Sequence, residues 1–179
     1  MKFLSERNIK LHKEFLRSER LRFSIIEKSY PSIVGKDARE ISKMRFNSRD
    51  EALDLICNIK CHEIFFSSFS DGRVPSDSVR KEYGSESGFL YELYECARES
   101  REEFLLVYSH GEKISYSTGS RLCFLNRRSA VLAVDLCEHS YFLDYGFDRD
   151  EYIKSALSFL NISKLDNFCS RSIEKKKTL

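Results

Sequence analysis

The sequence predicts an α+β fold: a helical hairpin at the N-terminus, then helices, three short strands and a closing helix. Three observations carry that expectation. Residues 8–30 and 49–69 repeat apolar side chains at helical spacing with no internal Gly or Pro. Residues 103–117 and 128–136 change to extended apolar runs rich in β-forming side chains. Between these regimes, "SDGRVPSDSV" (70–79) concentrates Ser, Asp, Gly and Pro and marks a break in the chain.

Taken in order, the first helix carries Ile9, His12, Leu16, Phe23 and Ile26 on one face and ends before Pro31. Residues 31–47, with Pro31 and Gly35, read as a connection holding one short turn. Ser48 followed by Glu51 reads as a capping box that opens the second helix. That helix presents Leu53, Ile56, Ile59, Phe66 and Phe69, and the two helices are expected to pair antiparallel. The break at 70–79 suggests two domains, 1–72 and 73–179. Beyond it, Ser78–Tyr83 is expected as a short helix stopped at Gly84, and Glu86–Ser100 as a longer one. "EFLLVYSHGEKISYS" reads as a hairpin around His110-Gly111, and "RSAVLAVDL" as a third strand. Residues 149–160 return to helix, with Tyr152, Ile153, Ala156, Leu157 and Leu160 apolar.

Composition narrows the function classes. A formal net charge of +2 provides no global field for nucleic acid or a membrane surface. The basic "EKKKTL" end reads as a solvated tail. "MKFLSERNIK" has no apolar core of a signal peptide, and no run is long enough to span a bilayer. Cys57, Cys61, Cys96, Cys123, Cys137 and Cys169 form no C-x-x-C pair, so free thiols in a reducing cytoplasm are expected. Tryptophan is absent although the chain has 14 Phe, so any aromatic pocket must be built from Phe and Tyr.

The histidines are the chemical signal. His110 falls in the expected turn, whereas His12 and His62 lie in apolar helical surroundings. His139 follows Asp135 by four residues, at the end of a strand that reads as buried. A buried carboxylate must be paired or bind a cation, because burying isolated charge costs several kcal/mol. One metal ion would satisfy all four groups, and three imidazoles with one carboxylate suit iron, manganese or zinc.

"VDLCEHSYFLDYGFDRDEYIKSALSFLN" resembles the D-x-W-E-H-x-x-Y signature of the iron/manganese superoxide dismutases and the helix that follows it. "CHEIFF", "NIKLH" and the stretch from "EYGS" through "SYSTGS" are similar to earlier segments of that family, in the same order. The resemblance implies an N-terminal antiparallel helical hairpin and a C-terminal α/β domain with a three-stranded antiparallel sheet. It implies His12, His62, Asp135 and His139 as ligands of one Fe or Mn ion per subunit, between the two domains. The implied substrate is superoxide, dismuted to oxygen and hydrogen peroxide in a two-stroke redox cycle. Glu138 is implied as a bridge to the partner's last histidine ligand in a homodimer.

Around those ligands the sequence departs from the family. Cys137 stands where the signature has Trp, and Phe66 takes another tryptophan position. Arg20 falls at the family's gateway Tyr and Leu16 at a helper His. Asn58 falls at the iron-type position of the Gln that hydrogen-bonds metal-bound solvent, one methylene shorter; 117–122, where the manganese-type Gln would lie, has none. A Tyr expected after the last ligand is Phe142, with Tyr141 adjacent. By resemblance, then, Asn58, Arg20 and Tyr141 take the catalytic positions. The alternatives are a metalloprotein of this fold with other redox chemistry, or a non-catalytic, metal-stabilised binding protein.

Overall fold

A computed structural model gives the structure, described for residues 3–72, 74–110, 113–119 and 130–166. Helix α1 (Glu6–Ser29) starts where the Ser5 hydroxyl accepts from the Asn8 amide at 3.1 Å. Its buried face runs Asn8, His12, Leu16, Glu19 and Ile26, a stripe spaced by threes, fours and their sums. Three of those five side chains are polar, so this face is built for more than packing.

The connection holds more structure than one turn. A 3-10 turn (Pro31–Ile33) and helix α2 (Ala38–Ser42) bury Ile33 and Ile41 fully. A capping box does form here, at Asp37 and Glu40, whose side chains bond each other's backbone amides at 2.8 and 3.0 Å. The box expected at Ser48 does not form. Ser48 has φ −95° and ψ 22°, not the extended conformation a cap needs, and Glu51 instead reaches Arg22 across the hairpin at 3.1 Å.

Helix α3 (Arg49–Ser67) runs antiparallel to α1: His12 meets His62, Glu19 meets Asn58, and Arg22 meets Glu51. It is buried on several sides because α1, α2 and the sheet all pack on it. The Ser68 hydroxyl accepts from the Ala133 amide at 2.8 Å and donates to the Ile64 carbonyl at 2.7 Å. Asn161 N also donates to Ser68 O at 2.8 Å. These buried bonds lock the end of α3 to the sheet.

Helix α4 (Asp77–Tyr83) is capped by Ser76 and stopped at Gly84, whose φ of +76° suits glycine. Helix α5 (Glu86–Glu99) begins at Ser85, which accepts from Gly88 N at 3.0 Å. Strands β1 (Phe104–His110), β2 (Lys113–Thr118) and β3 (Ala130–Asp135) form an antiparallel sheet in the order β2-β1-β3. β1 is central, and Phe104 to Tyr108 are all buried because both sheet faces are covered. Helices α6 (Glu138–Tyr145) and α7 (Arg149–Ser158) follow, and a bridge from Leu160 to Phe69 and a last helical turn lead to residue 166. Gly111, residues 128 and 129 of the expected third strand, residues 120–122 of the span searched for a Gln, Cys123, Cys169 and the "EKKKTL" end lie outside the described residues. Among the described residues, no helix is long and apolar enough to cross a membrane.

Two cores result. The larger joins Phe3, Leu4, Cys61 and Phe65 to the sheet and the helices on it. The smaller gathers Ile26, Ile33, Ile41, Ala52 and Ile56 inside the helical region.

Asp166 ties the last described turn to the start of α4, accepting from Ser76 Oγ and Ser78 N, both at 2.9 Å. Burial raises its pKa, but the Ser78 and Ser76 donors outweigh that and leave it below the usual carboxylate value. Asp166→Ala is expected to cost about 1–2 kcal/mol at pH 7, read from urea unfolding. A depressed folded-state pKa stabilises above the unfolded-state value. The gap between wild type and variant should therefore shrink as pH falls through the folded-state pKa.

Candidate metal centre

Four side chains from four elements converge where the hairpin meets the sheet. His12 comes from the buried stripe of α1 and His62 from α3, one turn after Ile59. Asp135 is the last residue of β3, paired in register with Phe104. His139 stands in the first turn of α6. The turn between β3 and α6 fixes the carboxylate: Cys137 N donates to Asp135 Oδ1 at 2.9 Å, which leaves Oδ2 facing the histidines. Tyr152, fully buried on α7, donates its hydroxyl to the Asp135 carbonyl at 2.6 Å.

Asp135 Oδ2 lies 3.0 Å from His12 Nε2, 3.3 Å from His62 Nε2 and 3.2 Å from His139 Nε2. Those separations are short enough for hydrogen bonds, yet the directions are wrong for one. All four atoms are therefore buried without a hydrogen-bond partner. They lie within 4.8 Å of one another. Neighbouring donors of one ion bonded at about 2.1 Å lie about 3.0–3.4 Å apart, and the carboxylate-to-imidazole separations of 3.0–3.3 Å match that spacing. The donor set, three imidazole nitrogens and one carboxylate oxygen, fits a first-row transition metal.

The shifts of His12 and Asp135 agree with that use. Burial lowers the His12 pKa and outweighs the neighbouring Asp135, which keeps the ring neutral. Burial also pulls on His62, but Asp135, the Asn58 carbonyl and Glu19 outweigh it and the net shift is upward. Burial works to raise the Asp135 pKa, yet the three histidines hold it well below its usual value. Asp135 is thus ionised, and its compensation is the imidazole cluster.

Phenylalanine supplies the aromatic wall. Phe15 stacks on His139 at 4.3 Å, Phe65 and Phe66 tilt against His12 at 4.8 and 5.0 Å, and Phe104 meets His62 edge-on at 5.1 Å. Three of the four donor side chains are essentially buried, while that of His139 is 31% exposed beneath a partly exposed Phe15.

Of the other sequence-predicted residues, Asn58 is beside the cluster: its carbonyl lies 2.8 Å from His62 Nδ1, and its Nδ2 is 3.5 Å from Glu19 Oε1. Arg20 turns outward and pairs with Glu63 at 3.0 Å. Tyr141 is buried in the larger core with its ring stacked on Tyr152 at 4.9 Å, one residue removed from Asp135. Phe142 is 46% exposed and meets Phe147 edge-on. Glu138 is exposed at the start of α6 and makes no ion pair among the described residues. Cys137 is a free thiol whose pKa is pushed up by burial, then by Asp135 and Glu103, so it is neutral rather than a thiolate. Cys57, Cys61 and Cys96 carry thiols outside any disulfide.

Sequence reasoning missed Glu19. It is 5% exposed and lies behind His62, with Oε2 at 3.6 Å from Nδ1. Its charged neighbours "SERLR" disguise it as a solvated position. The signal that finds it is spacing: Glu19 follows His12 by seven and precedes Ile26 by seven, on the same stripe.

Residues 74–168 match the family model of the iron/manganese superoxide dismutases, C-terminal domain, over more than half of the chain. The chain belongs to the iron/manganese superoxide dismutase family. No curated protein matches it. Asp135 and His139 fall inside the matched stretch, whereas His12 and His62 lie outside it. The convergence of all four side chains is therefore an observation independent of that match.

Tyr152→Phe leaves the Asp135 carbonyl without its donor in a dry interior. The variant should lose about 1–3 kcal/mol, measured by chemical denaturation. An unchanged unfolding midpoint would show that this hydroxyl does not anchor Asp135.

Proposed function

We propose that this protein is a superoxide dismutase that holds one Fe or Mn ion per subunit on His12, His62, Asp135 and His139. The observation that carries the reading is the set of four orphaned, buried donor atoms within 4.8 Å of one another, in a chain of this family. When bound, the ion supplies the one-electron chemistry that oxidises one superoxide to dioxygen and reduces a second, with two protons, to hydrogen peroxide.

The chain's own contributions follow from position. The three imidazoles and Asp135 would fix the ion's geometry, with Asp135 offsetting one unit of its charge. Phe15, Phe65, Phe66 and Phe104 keep bulk water from the donors and lower the local dielectric. Asn58, at the solvent-donor position by resemblance, orients His62 through its backbone carbonyl and turns its side-chain amide to Glu19. Arg20, at the gateway position by resemblance, would act from the hairpin surface, where it is paired with Glu63. Tyr141 acts at one remove, by packing against the Tyr152 that holds Asp135.

The reading includes a division into 1–72 and 73–179, a cytoplasmic setting and a homodimer. Support for the dimer comes from α6 and the turn after it. Glu138 is exposed beside His139, and Phe142, Leu143 and Phe147 are 46%, 46% and 93% exposed nearby. A second copy would cover that apolar set and give Glu138 a partner.

A second reading, a metalloprotein of this fold with other redox chemistry, is favoured by one contact. The Asn58 amide nitrogen faces the Glu19 carboxylate at 3.5 Å. Metal analysis with a superoxide-consumption assay separates the two. Bound iron or manganese with rapid dismutation supports the dismutase, and bound metal without it supports the alternative. His62→Ala is expected to lose bound metal and activity together. Wild-type metal content in that variant would sink the ligand assignment.

A further inference from the structure

Glu19 is the one buried acid in the helical hairpin that neither the donor set nor the core explains. Its side chain is 7% exposed, and among the described residues its carboxylate meets no Lys or Arg. Its neighbours are Asn58 Nδ2 at 3.5 Å and His62 Nδ1 at 3.6 Å, and Oε2 has no hydrogen-bond partner. A buried carboxylate with so little compensation costs stability. Something in the working protein must offset that cost.

The geometry identifies it. The His62 ring presents Nε2 to Asp135 and the cluster, and Nδ1 to Asn58 O at 2.8 Å. The carbonyl can only accept, so Nδ1 carries the proton and Nε2 keeps its lone pair for a cation. Binding a cation at Nε2 draws electron density out of the ring and makes Nδ1–H more positive. Glu19 Oε2 lies 3.6 Å from Nδ1, too far to share that hydrogen but close enough for its charge to act on the ring. An outer carboxylate behind a ligating imidazole is a recurrent way of orienting the ring and raising its basicity.

We infer that Glu19 is a positioning residue for the metal site, an outer carboxylate that acts through the negative charge it sets behind His62, while the Asn58 carbonyl orients the ring. This rests on the ligand reading given above. With Asp135 in the donor set, Glu19 favours tight binding and the more highly charged, oxidised ion. It thereby compensates the first-row metal's charge from within the chain, at a place where no tryptophan or glutamine is present.

Glu19→Gln tests this, because glutamine keeps the shape and a contact to Asn58 while removing the charge. The full-length protein is loaded with Mn(II) or Fe(II), and affinity is measured by chelator competition. Affinity is expected to fall about 10–100-fold. The ferric/ferrous potential is expected to rise, and Glu19→Asp to restore part of both effects. Metal-free Glu19→Gln should be at least as stable as the metal-free wild type, because a poorly compensated buried charge is gone. Its gain in Tm on metal loading should be smaller. Unchanged affinity and potential would overturn the inference while leaving the four-ligand site intact. Equal destabilisation of the metal-free and loaded forms would also overturn it, since that is the mark of a packing role. A wild type that binds neither ion would overturn the ligand reading and this inference together.

Discussion

The structure depends on one interaction: a fully buried, ionised Asp135 faced by three imidazoles at the seam between the helical hairpin and the sheet. A charge in that position is unfavourable unless it is compensated from several directions. The fold supplies those directions from four elements that are far apart in sequence. β3 delivers the carboxylate, α6 returns His139 one turn later, and α1 and α3 bring His12 and His62 from the N-terminal region. Ser68 fastens the end of α3 to β3 by a buried hydrogen bond, and Tyr152 holds the Asp135 carbonyl from α7. The seam is thus braced on both sides of the cluster.

What surrounds the donors has been rebuilt around that fixed centre. Phenylalanine rings do the walling that indoles do elsewhere in the family, and they pack against imidazole faces and edges at 4.3–5.1 Å. Cys137 is too small to wall anything. Its amide, rather than its side chain, matters most, because that amide engages Asp135 Oδ1 and frees Oδ2. Glu19 and Asn58 form a polar pair behind His62, so the surroundings of that ligand are more acidic than the ligand set alone implies. The donors set which ions fit, and the polar pair behind His62 bears on how tightly and in which oxidation state.

Much of this was legible in the amino-acid sequence, for a physical reason. His12, His62, Asp135 and His139 are polar groups set in apolar, periodic surroundings, and a residue that breaks a hydrophobic pattern draws attention. The helices and strands were legible because their periods change from helical to extended near residue 103. Glu19 was not legible, because charged neighbours hide a buried acid on an amphipathic helix. The Ser48 cap was misread because a capping box is a statement about backbone conformation, and Ser48 does not adopt the extended one. Arg20 shows the limit of counting along a helix. The position after a buried Glu19 turns outward, so Arg20 meets Glu63 instead of the cluster.

Anomalous diffraction at the iron and manganese edges, from crystals of the natively loaded protein, tests the central claim most directly. The account predicts one peak per chain at bonding distance, about 2 Å, from Nε2 of His12, His62 and His139 and from Oδ2 of Asp135. A peak ligated by other side chains, or no peak with these four groups in place, would contradict it.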